Sequence, residues 1–275
     1  MTITLKKTNR KSNISFDELL QNKQVQQIVP WLVPVFLLVL WELLVQAGIL
    51  STRILPAPSG VVATAIKLAS TGELFKHIGI SAARAISGFV VGGSIGLTLG
   101  LLNGISRTAE TLLDTTVQML RTIPNLALIP LVILWFGIGD QARLFLVSLG
   151  VFFPLYLNTF HGIRSVDTGL IEMGKVYGLK PLQLLWQIIL PGALSSILVG
   201  VRYSLGIMWL TLIVAETIAA DSGLGYMAMN AREFMQTDVV VLSIFIYALL
   251  GKLADATARK LESKWLSWNP NYQSA

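Results

Sequence analysis

The chain has 275 residues, 53% of them hydrophobic and 13% charged, with a formal net charge of +6 and no cysteine. Soluble domains carry about a quarter charged residues, so this balance, with a mean hydropathy of +0.67, excludes an ordinary soluble globule and predicts an integral membrane protein. The lack of cysteine excludes disulfides, thiolate chemistry and Cys-based zinc or iron–sulfur centres. The basic residues flank apolar runs, as membrane topology requires, so no nucleic-acid partner is inferred from the charge.

Residues 1–27 form a polar tail in which Lys6, Lys7, Arg10, Lys11 and Lys23 face only Asp17 and Glu18. No short apolar core with a small-residue cleavage site adjoins it, so no cleavable signal is expected. The first apolar run, 28–50, exceeds the about 20 residues that a spanning helix needs. Further spans are expected at 79–104, 111–136, 142–162, 191–217 and 237–260. The fold class is therefore an all-α, multi-pass membrane protein with a six-helix domain over 28–260 and a C-terminal tail at 261–275.

Six spans bring both termini to one side, and the excess of Lys and Arg in the N-terminal tail makes that side the cytoplasm. Arg107, Arg164, Lys175, Lys180 and Lys264 agree; Arg53, Lys67 and Lys76, in the first outside loop, do not. Segment 60–78 has helical periodicity and is expected at the outer interface. In the second span Gly88, Gly92, Gly96, Gly100 and Gly104 recur at every fourth residue. That spacing lines them along one helix face, where another helix can approach closely. No internal repeat suggests two inverted halves.

Several motifs fail on context. "GLIEMGKV" (169–176) imitates a phosphate-binding loop, but Val176 stands where a hydroxyl should reach magnesium, and no strand precedes it. "GLGYMA" (223–228) lacks the strand–helix–strand unit of a dinucleotide site. His77 and His161 lie far apart without accompanying carboxylates, so a metal site is not expected, and no Ser–His–Asp arrangement supports an enzyme.

The segment 171–192, "IEMGKVYGLKPLQLLWQIILPG", is polar between apolar runs and reads as a folded bracket. Residues 167–177 suit a short helix, Gly178 permits the turn that ends it, and Pro181 suits the first turn of a second helix. Pro191 then starts the next span. Glu172 is followed after five residues by Gly178, and after nine more by Ile188-Ile189-Leu190-Pro191. This spacing resembles the cytoplasmic loop of ABC importer permeases, whose pattern is Glu-Ala-Ala, three residues, Gly, nine residues, Ile-x-Leu-Pro; Met173 and Gly174 replace the two alanines.

The resemblance extends over residues 28–272, through "STRILPAPSGV", "QMLRTIPNLALIPLVILWFGIG", "LYLNTFHGIRSVD", "MWLTLIVAETIAADSGLGYMAMNAREFMQTDVV" and "YALLGKLAD". These stretches are similar to permeases of the nitrate, sulfonate, taurine and bicarbonate branch, and within it to those for aliphatic sulfonates. The resemblance implies a type I importer in the bacterial inner membrane: two copies of the permease, two ATPase subunits and a periplasmic substrate-binding protein. It also implies that ATP and magnesium sit on the ATPase, with no cofactor on this chain. Glu172, Gly178, Leu179, Ile188, Leu190 and Pro191 are then the residues that couple to the ATPase.

Charges within a span are costly and point to function by default. Arg121 and Arg202 each lie eleven residues beyond a span-end marker, Glu110 and Pro191, or roughly 16 Å along a helix. Paired guanidiniums would suit a sulfonate or another oxyanion; pairing with carboxylates is the structural alternative. Arg121, Asn125, Arg202, Met208, Trp209 and Glu216 are therefore the candidate pathway residues. Met208 and Trp209 are equally compatible with packing, and Glu216 with an ion pair near the outer surface. The rivals are nitrate, taurine or bicarbonate as cargo, a stand-alone secondary transporter or channel, and, last, a membrane enzyme.

Overall fold

A computed structural model describes residues 23–268, and the expected N-terminal tail, 1–22, and the last seven residues of the C-terminal tail lie outside the described residues. Contacts divide the chain into two compact units, 1–60 and 61–275. In the first unit helix α1, Lys23–Gln46, carries the first apolar run, beginning five residues before the expected 28. Trp31, Leu32, Phe36 and Leu37 are exposed on the surface of the chain, as a lipid-facing helix requires. Its one carboxylate is partnered: Glu42 accepts hydrogen bonds from the Ser59 backbone N–H at 3.0 Å and the Ser59 hydroxyl at 2.8 Å.

The second unit is built of helices and short turns, with no strand among its described residues. Helix α2 is Pro58–Ser70 and α3 is Glu73–Ile105. The expected interfacial segment 60–78 is thus cut short by a turn at Thr71–Gly72, and its last residues open the span. Helix α4, Arg107–Arg121, starts at Ser106, whose hydroxyl accepts from the Ala109 N–H. A 3₁₀ turn, Asn125–Leu128, leads into α5, Ile129–Phe136.

The third span, expected as one run over 111–136, is a broken pair: the axes on either side of residues 122–124 differ by 83°. The helix stops before Pro124, because proline lacks the N–H that would continue the ladder and its ring clashes with the preceding turn; Pro124 itself is extended, with ψ 118°. Among the described residues five helices are long and apolar enough to cross a membrane, or six if the bent pair is one span.

Helix α6, Asp140–Arg164, is the centre of the unit. On one side it meets the glycine face of α3. A Cβ at Gly96 would lie 2.6 Å from the Phe152 carbonyl oxygen, and one at Gly100 would lie 2.8 Å from that of Tyr156. On its other side Gly150 and Gly162 admit α9, Leu190–Ala219, which returns the arrangement with Gly200 against Asn158. Without water to drive apolar association, close backbone approach is what gives such a bundle its packing energy.

Gly96→Val should therefore cost about 1–3 kcal/mol, because the opposing atom is backbone and cannot turn aside. Gly79→Ala on the same helix, where a Cβ meets nothing within 4 Å, should be neutral or stabilising. Thermal unfolding of the detergent-solubilised protein checks the pair.

Helices α10, Leu224–Glu233, and α11, Thr237–Trp265, close the apolar core around Leu212, Leu224, Met227 and Ile246. The last span runs five residues past the expected 260.

Candidate functional site

Three sites stand out, and α9 links them. The first is the bracket. Asp167 begins α7, Thr168–Val176, by accepting from the Gly169 N–H at 2.8 Å. Gly178 ends it with φ 76°, a left-handed conformation that suits glycine. The turn is closed by the Leu179 N–H donating to the Gly174 carbonyl at 3.1 Å and the Gly178 N–H to that of Lys175 at 3.0 Å.

Helix α8, Pro181–Leu184, follows, with the Gln183 side chain accepting from the Lys180 N–H at 2.9 Å. A Cβ at Gly174 would meet the tips of Ile188 at 2.6 Å and Leu184 at 2.7 Å. The replacement of alanine at 174 thus matches the bulk opposite it. Ile171, Ile188 and Ile189 also pack on Ile163, Val166 and Ala193, so Ile188 acts as mortar within the bracket and is not a free contact.

Pro191 does not open a separate helix. The chain runs from Pro181 to Ile218 as one helical rod of 38 residues, widened by a π-turn at Leu185–Ile189. A π-turn accommodates the missing N–H of Pro191 without breaking the rod. The second helix of the bracket is therefore continuous with α9. Glu172 is exposed, and around it lie apolar side chains that sequence motifs do not mark. Val176 is 86% exposed and Tyr177 79%, and Leu182 and Trp186 are also bare. Bare apolar side chains among the exposed charges of Glu172, Lys175 and Lys180, next to the start of a long helix, suit a partner subunit.

The second site is a cavity of about 450 Å³ at the break between α4 and α5. Arg121 and Asn125 line it together with Asn158 and Tyr203, and Phe153, Leu157 and Ile207 supply an apolar wall. Arg202 opens instead into a neighbouring cavity of about 570 Å³ that shares Tyr203 and Ile207. Its guanidinium Nε donates to Asp255 at 2.7 Å, and Nη1 lies 3.8 Å from Glu262. The two arginines expected to act as a pair are thus separated, and Arg202 is neutralised. Met208 and Trp209 are buried in the apolar core, outside both cavity walls.

The third site is a buried polar cluster at the far end of α9. The side chain of Glu216 is fully buried. It accepts from Ser81 Oγ at 2.7 Å, Arg84 Nη1 at 2.9 Å, the Tyr247 hydroxyl at 2.9 Å and the Gly225 N–H at 3.0 Å. Arg84 also donates to the Ser222 carbonyl at 2.6 Å and to Asp140 at 2.7 Å. His77 Nδ1 accepts from the Gly223 N–H at 3.1 Å. The cluster fastens α3, α6, α9, α10 and α11 to one another. In the loop above it, the Ser222 hydroxyl holds the Asp221 carboxyl below its usual range. No group of acidic and histidine side chains suited to a metal occurs among the described residues.

Residues 92–267 match the family described as the inner membrane component of binding-protein-dependent transport systems. The chain is 60% identical over 250 residues to an Escherichia coli (strain K12) protein described as a candidate aliphatic sulfonates transport permease, covering 91% of this chain and 95% of that one. A Bacillus subtilis (strain 168) protein of the same description is 46% identical over 242 residues, covering 88% of each. Among solved structures, an inward-facing MetNI methionine ABC transporter chain superposes with a TM-score of 0.51 at 21% identity, covering 72% of this chain and 97% of that one; this likeness concerns the fold.

Proposed function

The chain belongs to the family of inner membrane components of binding-protein-dependent transport systems, and from that premise we propose that it is the translocating permease of an ATP-driven importer for aliphatic sulfonates. Two copies form the pathway, each bracket docks on one of two ATPase subunits, and a periplasmic binding protein delivers the cargo. Both termini face the cytoplasm. ATP and magnesium belong to the ATPase, and this chain performs no hydrolysis; its work is to change shape.

One observation carries the mechanical part of this reading: the second helix of the bracket, which bears the exposed Leu182 and Trp186, runs without a break into α9. A rod of 38 residues is about 57 Å long at 1.5 Å per residue, enough to reach from the ATPase side through the bilayer. When ATP draws the ATPase pair together, the brackets move with it. The rod then carries the displacement past the Arg121 cavity to the Glu216 cluster. Alternating access follows if ATP-bound and ATP-free partners stabilise different arrangements of the two copies. A secondary transporter has no use for such a bracket.

The cargo is supported by the relatives' descriptions and by the chemistry of the cavity, a cation beside an apolar wall. Reconstitution in liposomes with the ATPase and binding protein tests both parts. Uptake and ATP hydrolysis are expected to rise with alkanesulfonates and less with taurine, nitrate or bicarbonate. Uptake by the chain alone under an ion gradient would overturn the importer reading, and stimulation by nitrate alone would overturn the cargo.

A further inference from the structure

We propose that the cavity at the α4–α5 break is an alkanesulfonate site built into the permease itself, with Arg121 holding the head group and the α6–α9 wall holding the alkyl chain. This rests on the importer reading above and adds that the permease, as well as the binding protein, recognises cargo.

Three features converge on it. Arg84, Arg143, Arg164, Arg202 and Arg259 each meet a carboxylate; Arg121, like Arg53, Arg107 and Arg232, makes no ion pair and no side-chain hydrogen bond among the described residues, and it lines this cavity. It is the last residue of α4, set against the 83° break, and it is exposed where it lines the cavity. Asn125 and Tyr203 line the same space, and their side chains likewise have no hydrogen-bond partner among the described residues. Asn158 spends one amide hydrogen on the Pro154 carbonyl at 2.8 Å and keeps the other. A sulfonate presents three acceptor oxygens and one negative charge, which matches a forked cation with amide and phenol donors around it.

The second feature is the wall. Ile123, Phe153, Leu157 and Ile207 line the space beside these donors. A nitrate or bicarbonate ion has no apolar part to place there, and the ammonium group of taurine would be left against hydrocarbon beside a cation. An alkyl chain gains from the same surface.

The third is the approach along α4. Thr111, Thr115, Gln118 and Thr122 follow one another at spacings of three and four residues, so they share one face, about a quarter-turn round the helix from Arg121. Thr111, Thr115 and Thr122 are exposed on it. In a span, a hydroxyl-rich face that is not packed away is suited to a wet path.

The test uses the assembled permease–ATPase complex without the binding protein, titrated calorimetrically with straight-chain sulfonates from methanesulfonate to hexanesulfonate. The dissociation constant is expected to fall roughly three- to fourfold for each buried methylene. Arg121→Ala should weaken hexanesulfonate binding by about tenfold to a hundredfold. Asn158→Asp, which would set a carboxylate opposite Arg121, should weaken it comparably without removing the cation. Sulfonate uptake by the wild-type complex with its binding protein is measured in parallel. If that complex imports no sulfonate, the cargo assignment fails and the site with it. If it imports sulfonate but the complex lacking the binding protein shows no chain-length dependence, or both variants bind as wild type, the site alone is overturned.

Discussion

Gly178→Pro is expected to abolish ATP-driven uptake while the chain still inserts and assembles. Gly178 sits at φ 76°, and its N–H donates to the Lys175 carbonyl. Proline fixes φ near −65° and has no N–H, at a cost of about 3 kcal/mol or more, a shift of roughly a hundredfold in the folded population of the bracket. The damage stays local because Gly178 has nothing within 4 Å of a Cβ position and no core contact depends on it. Gly178→Ala keeps the N–H and meets only the left-handed penalty, about 1–2 kcal/mol, so it should lose part of the coupling. The measurement is substrate-stimulated ATP hydrolysis set beside uptake. Wild-type coupling in the proline variant would show that the bracket is not the joint.

The same logic separates the two kinds of residue in the bracket motif. Ile188 faces inward onto Gly174, so Ile188→Ala would loosen the fold of the bracket, whereas Trp186 faces outward and its loss should weaken ATPase attachment alone. Trp186→Ala is expected to leave thermal unfolding of the isolated permease unchanged while reducing co-purification of the ATPase subunit. Buried aromatic anchors commonly dominate an interface, and a bare indole one helical turn from the equally bare Leu182 fits that role.

Much of this architecture is legible in the sequence because its causes are local. Long apolar runs specify spans, the four-residue glycine spacing specifies the α3–α6 seam, and Gly178 with Pro181 specifies the bracket. What escapes has non-local or compensating causes. "TIPNLALIPLVILWF" reads as one apolar run, and only a neighbouring helix that leaves room can turn the Pro124 kink into an 83° break. Pro191 reads as a helix start, yet the π-turn before it keeps the rod continuous. Arg202 meets Asp255 from 53 residues away, a distance over which no spacing rule operates. Arg84 is the instructive omission. It lies in the apolar stretch "ISAARAISGF", where the rule that a charge in a span needs a reason applies as it does to Arg121. Its partners Asp140, Glu216 and Ser222 are 56, 132 and 138 residues further on.

That cluster sets the largest stability effect expected in the molecule. Glu216 accepts from four donors with its side chain fully buried. Glu216→Ala would leave the 9% exposed Arg84 side chain with only the exposed Asp140 as a close carboxylate partner and would take the acceptor from Ser81, Tyr247 and the Gly225 N–H. Removing one member of a buried pair costs about 3–5 kcal/mol. Glu216→Gln is no rescue. An amide replaces one accepting oxygen with an N–H₂ group, and both oxygens of Glu216 face donors, so one face would set hydrogen against hydrogen. Both variants should therefore lower the unfolding temperature by similar amounts. Replacing the pair together, Arg84→Met with Glu216→Leu, should cost less than the two single changes summed, because no charge is then left unpaired. Additive losses would mean that the cluster is a set of independent contacts. Strong non-additivity would identify it as one coupled unit, which holds α3, α6, α9, α10 and α11 together at the far end of the rod from the bracket.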